Sequence, residues 1–135
     1  METKLLDSLE TVNQQQFAVG NDLVFVPGFE PSLTPGFKAK VYTEAEIAYC
    51  DQFADSLLRY ASTWAAKEAV YKAVKQLDKT TAGWKNIEII REKIGGRPHV
   101  ILHQPQLSNI NVSLSITHDG DYAWAVAIVQ TKSVK

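Results

Sequence analysis

The sequence predicts an α+β fold in which an antiparallel sheet is packed against one long helix, and three observations carry that prediction. Leu57 to Leu77 is an unbroken run of good helix formers without glycine or proline. Four β-type runs follow it: Ile87 to Arg91, Val100 to His103, Val112 to Thr117 and Tyr122 to Gln130. Gly95-Gly96-Arg97-Pro98 turns the first into the second, and Asp119-Gly120-Asp121 turns the third into the fourth. A further β-rich segment, Phe17 to Val26, precedes the helices. Strand, then helices, then strands is the order of an α+β domain.

The 135 residues suit one domain, 1–135, with Met1 to Gln16 as an N-terminal extension whose Leu5, Leu6, Leu9 and Val12 stand at helical spacing. A net charge of −1 argues against a protein that coats nucleic acid. No apolar run is long enough to cross a bilayer, and the polar start lacks the layout of a signal peptide, so a cytoplasmic protein without a membrane partner is expected. Cys50 is the only cysteine, which excludes an internal disulfide and predicts an inert, half-buried thiol.

Along the chain, Gly20-Asn21-Asp22 interrupts the first β-rich run, and Asp22 is costly in a buried strand unless it is paired or bound. Pro27, Gly28, Pro31, Pro35 and Gly36 predict a loop with one helical turn. Thr43 and Glu46 form a capping-box pattern ahead of a helix from Glu44 to Phe53. Asp55 or Ser56 is placed to cap the long helix, and the polar stretch Asp78 to Gly83 to end it.

At 100° per residue the long helix shows two stripes. Ala66, Val70, Ala73, Val74 and Leu77 read as core, while Ala61, Trp64, Ala65, Glu68 and Lys72 set a carboxylate and an ammonium one turn apart among small residues. Alone, Glu68 and Lys72 are an ordinary surface ion pair. With Asp22 from a neighbouring strand they suit Mg²⁺, which takes one or two protein carboxylates and fills its other positions with water and phosphate oxygens. Lys72 would face the same phosphate. Ser115, Thr117 and His118 end one strand and could donate to phosphate; as surface residues they would do nothing more. His99 and His103 share a strand face too far apart for a metal pair. Lys38 and Lys40, with Arg59, are a solvated face or a docking patch for an acidic partner.

These residues resemble a known family. Val19-Gly20-Asn21-Asp22-Leu23-Val24 resembles the opening segment of the holo-acyl carrier protein synthases, the small 4′-phosphopantetheinyl transferases. Trp64-Ala-Ala-Lys67-Glu68-Ala69-Val70-Tyr71-Lys72-Ala73 resembles their helix signature, Tyr42 to Glu46 their Thr-x-x-Glu segment, and Gly96-Arg97-Pro98 their following turn. Ser115-Ile116-Thr117-His118 with Asp119 resembles their closing segment. The likeness runs from Val19 to about Val129 with the segments in order.

The resemblance implies the 4′-phosphopantetheinyl transferase fold and Mg²⁺-dependent transfer of the phosphopantetheine arm from coenzyme A to a serine of apo-acyl carrier protein, free or a domain of a fatty acid synthase. Adenosine 3′,5′-bisphosphate is released. It implies Asp22 and Glu68 as metal ligands and Asp22, Glu68, Lys72 and His118 as the catalytic group. Lys72, Ser115, Thr117, His118 and Arg97 are implied as coenzyme contacts. A homotrimer with the site between two subunits is implied as well. The base is left open among a metal-bound water, Glu68 and His118. The chain departs from the pattern at Thr63, where many relatives carry arginine, and in Gln76 to Gly83, which replaces a glycine-rich turn. The alternatives are a non-catalytic nucleotide- or carrier-binding domain of the same fold and a purely structural subunit.

Overall fold

A computed structural model describes residues 16–80, 82–92 and 96–132. The expected amphipathic segment over Met1 to Gln16 lies, apart from Gln16, outside the described residues, as does Gly95 of the expected turn. β1 (Phe17–Phe25) is followed by the short helix α1 (Val26–Phe29), then α2 (Pro35–Val41), α3 (Glu44–Asp51) and the long α4 (Ser56–Leu77). β2 (Ile87–Ile90), β3 (His99–Leu102), β4 (Ile110–Asp119) and β5 (Tyr122–Thr131) complete the order.

The strands form two antiparallel sheets, where the sequence predicts one. β1, β5 and β4 make a three-stranded sheet in the order β1-β5-β4, and β2 pairs only with β3. A groove of about 590 Å³ separates β3 from β4. Leu107, buried on a 3₁₀ turn between those strands, lines that groove, so the two edges do not zip together.

Two further expectations are corrected. Gly20-Asn21-Asp22 does not interrupt β1, which pairs with β5 without a break from Phe17↔Gln130 to Phe25↔Tyr122. Gly20 is needed because α4 lies directly on it: a Cβ there would overlap the Ala69 carbonyl oxygen and come within 2.8 Å of Ala73 N. The proline-rich stretch is largely helical, since Thr34 Oγ1 accepts from Phe37 N at 3.1 Å and Pro35 opens α2 with its φ already set.

α3 starts on the predicted capping box, with Thr43 N donating to Glu46 Oε1 (2.8 Å) and Glu46 N donating to Thr43 Oγ1 (3.2 Å). α4 packs across β1, β5 and β4, which buries Ala66, Val70, Ala73 and Val74 of the first predicted stripe but only Ala61 and Ala65 of the second, whose Lys72 is exposed. Ala61, Ala65 and Ala69 are fully buried. These small residues admit the sheet backbone and do not clear room for a ligand; the polar groups emerge only where the helix passes the β1 edge. Trp64 packs edge-on against Phe37 (5.2 Å) and Trp84 (4.7 Å), which places it in an aromatic cluster under α2. Cys50 is buried against Thr63, and burial raises its thiol.

The sheet's other face is unusual. Alternation in β1 turns Ala18, Gly20, Asp22 and Val24 towards α4, and Phe17, Val19, Leu23 and Phe25 away from it. Tyr122, Trp124 and Ile128 on β5 join that outward face, with Leu23 60% and Trp124 46% exposed. A contiguous apolar surface of this kind marks an interaction face.

Candidate active site

Asp22 sits mid-strand, paired with Ala125 of β5, on the face covered by α4. The small alanine leaves its carboxylate room, and only 9% of the residue is exposed. Lys72 Nζ lies 2.9 Å from Asp22 Oδ1 and also donates to the Asn21 carbonyl oxygen at 3.3 Å. The ammonium therefore pairs with the strand carboxylate and not with Glu68 one turn away, because β1 runs along the helix edge where Lys72 emerges. The hydrogen bond from Lys72 to Asp22 raises the lysine further.

Asp22 Oδ2 is buried and has no hydrogen-bond partner. Beside it, Glu68 is pushed up to about 7. Burial is the first cause, followed by the hydrogen bond that its protonated form makes to Asp22 and by repulsion from the Asp22 carboxylate, with Lys72 opposing. Two carboxylates are thus held together at an energetic cost, with an unsatisfied oxygen between helix and strand. Among the described residues no group of three or more His, Cys, Asp or Glu assembles. A pair of carboxylates with open sides suits a hard cation that keeps water and phosphate ligands, the habit of Mg²⁺.

The other predicted residues lie elsewhere in the chain. β4 alternates so that Leu114, Ile116 and His118 share the α4 side, while Ser115 and Thr117 are exposed on the outward face opposite Val126 and Trp124. One chain therefore does not unite Ser115 and Thr117 with Asp22 and Glu68. His118 pairs with Ala123, itself paired with Val24, two strands across from the β1 carboxylate. His118 opens onto a separate cavity with Arg59 and Arg91. Arg97 is exposed on the segment leading into β3. His103 Nε2 lies 3.0 Å from Glu88 Oε1. Lys38 stands over the Tyr60 ring (4.6 Å), and Arg59 pairs with Asp55 at 3.2 Å.

The sequence also conceals a buried ion pair. Lys67 Nζ is fully enclosed, 2.8 Å from Glu46 Oε1, and donates to the carbonyl oxygens of Trp84 (2.7 Å) and Ile87 (2.6 Å). Glu46 Oε2 accepts from Ile89 N at 2.8 Å. Burial lowers Lys67, and Glu46 partly offsets the shift. The capping-box glutamate thus ties α3, α4 and β2 together next to Glu68. The available signal was a lysine set among alanines in the long helix, in Ala65-Ala66-Lys67-Glu68-Ala69.

Comparison with known proteins identifies the family. The profile of the 4′-phosphopantetheinyl transferase superfamily (ACPS) matches residues 18–127. The holo-[acyl-carrier-protein] synthase of Chlorobaculum parvum is 43% identical over 94 residues, covering 70% of this chain and 79% of that protein. That of Moorella thermoacetica is 38% identical over 120 residues, covering 83% and 92%. The ACPS–CoA complex of Chronobacterium ammoniagenes superposes with a TM-score of 0.74 at 30% identity, covering 87% of this chain and 99% of that one. With its profile match spanning most of its length, and with its strand carboxylate and helix signature meeting at one seam, the chain belongs to the 4′-phosphopantetheinyl transferase superfamily.

Proposed function

We propose that this protein transfers the 4′-phosphopantetheine arm of coenzyme A to a serine hydroxyl of an apo-acyl carrier protein. The observation that carries the reading is the meeting of Asp22, Glu68 and Lys72 at the β1–α4 seam, with an unsatisfied carboxylate oxygen, in a chain of this family. The serine oxygen attacks the phosphorus on the pantetheine side. A new P–O bond forms, the bond to the bridging pyrophosphate oxygen breaks, and adenosine 3′,5′-bisphosphate leaves with the bonding electrons.

Asp22 and Glu68 would hold Mg²⁺, whose chemistry when bound is to neutralise charge on the pyrophosphate oxygens. Lys72 is the mobile cation of the set: its ammonium is half-exposed, and a flexible stem lets it turn from Asp22 to a phosphate oxygen. Its charge then opposes the charge that grows on the leaving phosphate. Glu68, which titrates near neutrality without a cation, is the best-placed acceptor for the serine proton. Lys38 and Lys40 on α2 offer positive charge to an acidic carrier. A cytoplasmic location goes with this reading; among the described residues no helix is long and apolar enough to cross a membrane.

The assay is direct. Incubated with Mg²⁺, coenzyme A and a panel of apo-acyl carrier proteins, the enzyme adds one phosphopantetheine mass to a carrier in the mass spectrum. Carriers that all stay unmodified would sink the assignment.

The outward face of β1 and β5 is assigned to self-association into a homotrimer, because Leu23, Phe25, Trp124 and Ile128 would otherwise stay in water. Ser115 and Thr117 lie beside that apolar surface, so assembly would turn them towards a neighbouring copy. Sedimentation of the wild type should give about three times the 15.0 kDa chain mass, and Leu23→Asp with Trp124→Glu should return it to the monomer. A monomeric wild type at micromolar concentration would refute the assembly.

A further inference from the structure

β1 is an edge strand, with β5 on one side and, among the described residues, no strand on the other. In an antiparallel pair, alternate residues give both backbone groups to the partner strand, and the residues between them face outwards. The carbonyl oxygens of Val19 and Asn21 belong to the outward set, and side chains of α4 take them. Gln76 Nε2 donates to Val19 O at 2.9 Å, and Lys72 Nζ donates to Asn21 O at 3.3 Å. The two donors stand four apart on the helix, a rise of about 6 Å, and the two acceptors stand two apart on the strand, about 6.7 Å. α4 therefore runs antiparallel to β1 and takes the place of a further strand with a short ladder of side chains. Gly20, between the two acceptors, lets the helix come this close, since a Cβ there would meet Ala69 O and Ala73 N.

Gln76 is well anchored although it lies at the surface. Its amide has two donor hydrogens, and Nε2 also donates to the Lys72 carbonyl oxygen at 3.2 Å, one turn back. That bond holds the side chain along its own helix with the other hydrogen aimed at the strand. The turn that carries it is helical, for α4 runs to Leu77 and Asp78 N still donates to Val74 O at 2.9 Å. A glycine-rich turn in place of Gln76 to Gly83 would offer no side chain to the strand. Of the two rungs, that of Lys72 is the temporary one. Lys72 also pairs with Asp22 Oδ1 at 2.9 Å, and in the transfer it turns to a phosphate oxygen. Gln76 is then left holding the edge of β1, three residues from Asp22.

We propose that Gln76 is a positioning residue of the transfer site: it clips the free edge of β1 to α4, so that Asp22 keeps its place beside Glu68 when Lys72 leaves for the phosphate. The assignment rests on the transferase reading for what draws Lys72 away. Gln76 touches neither substrate nor metal in this role and acts through the strand that carries Asp22.

The test reads β1 directly, by hydrogen exchange of the Gly20 and Asp22 amides, which face β5, in the full chain without Mg²⁺. Gln76→Met keeps the length of the side chain and removes both donors. It should speed exchange at these two amides about 3- to 10-fold, the worth of one hydrogen bond, and leave the middle of β4 unchanged. Gln76→Arg, which again donates from that point, should restore the protection. In carrier modification the Met variant should need about 3- to 10-fold more Mg²⁺ for its half-maximal rate, with the rate at saturating Mg²⁺ within about twofold of wild type. Wild type loaded with Mg²⁺ and coenzyme A should keep Gly20 and Asp22 protected, because Gln76 stays in place. A folded Gln76→Met with unchanged exchange at both amides, or with an unchanged Mg²⁺ requirement, overturns the proposal. Loss of protection in the loaded wild type overturns it whether or not any variant folds. Faster exchange in Gln76→Met, in a protein whose wild type modifies no carrier, would instead support the clip and refute the transferase reading.

Discussion

Lys67→Met should destabilise the protein by about 3–5 kcal/mol, the usual cost of removing one partner from a buried ion pair. The size follows from what is left behind. Glu46 stays enclosed at the start of α3, still held by Thr43 N and Ile89 N but without a cation, and the Trp84 and Ile87 carbonyl oxygens each lose a donor. Glu46→Gln in the same chain removes the stranded charge and keeps an acceptor for both backbone donors, so the double variant should recover a large share of the loss. Urea unfolding followed by circular dichroism reads both numbers. A single variant within about 1 kcal/mol of wild type, well below the expected range, would mean that water reaches the pair and that it does not brace α4 against β2.

Glu68→Gln should reduce carrier modification by at least a hundredfold, the scale seen when one electrostatic contact to a transition state is removed. It should also stabilise the metal-free protein at alkaline pH. The sign follows from the raised carboxyl. Glu68 titrates near 4.5 when unfolded and about 7 when folded, so the native state favours its protonated form. That contribution is fully present below pH 4.5 and is lost as pH rises through 7. Glutamine cannot ionise and does not suffer the loss.

Without Mg²⁺, melting temperatures of the variant and wild type should therefore nearly coincide at pH 5 and diverge at pH 8, with the variant higher. Added Mg²⁺ should raise the wild type at pH 8 and leave the variant almost unmoved, since a ligand stabilises only the state that binds it. A metal-free difference independent of pH would contradict the crowded pair, and equal Mg²⁺ responses would remove Glu68 from the metal site. If Mg²⁺ is held by both carboxylates in their ionised form, as proposed, activity at limiting Mg²⁺ should climb through the same pH range.

Local chemistry was legible in the order of residues. The long helix ends at Leu77 as its composition dictates, Thr43 and Glu46 make both bonds of their box, and the strands lie within two residues of the apolar alternation. Asp22, Glu68 and Lys72 stood out because each is expensive where it sits. Pairing choices were not legible, since they depend on which elements meet. Lys72 goes to Asp22 because β1 runs along its edge of α4, and the Glu46 that caps α3 also receives Lys67, from the next helix in the chain. Gly20, which resembles a break in the strand, is instead the point of closest approach between sheet and helix.

Propensity, period and capping act over a few neighbouring residues, so the sequence alone determined the elements and singled out the strand carboxylate and the helix pair that meet at the β1–α4 seam. Burial and charge pairing act across space. Only the tertiary structure could turn Ser115 and Thr117 to the apolar face away from α4, enclose Lys67 with Glu46, and carry Arg91 into the cavity that His118 lines.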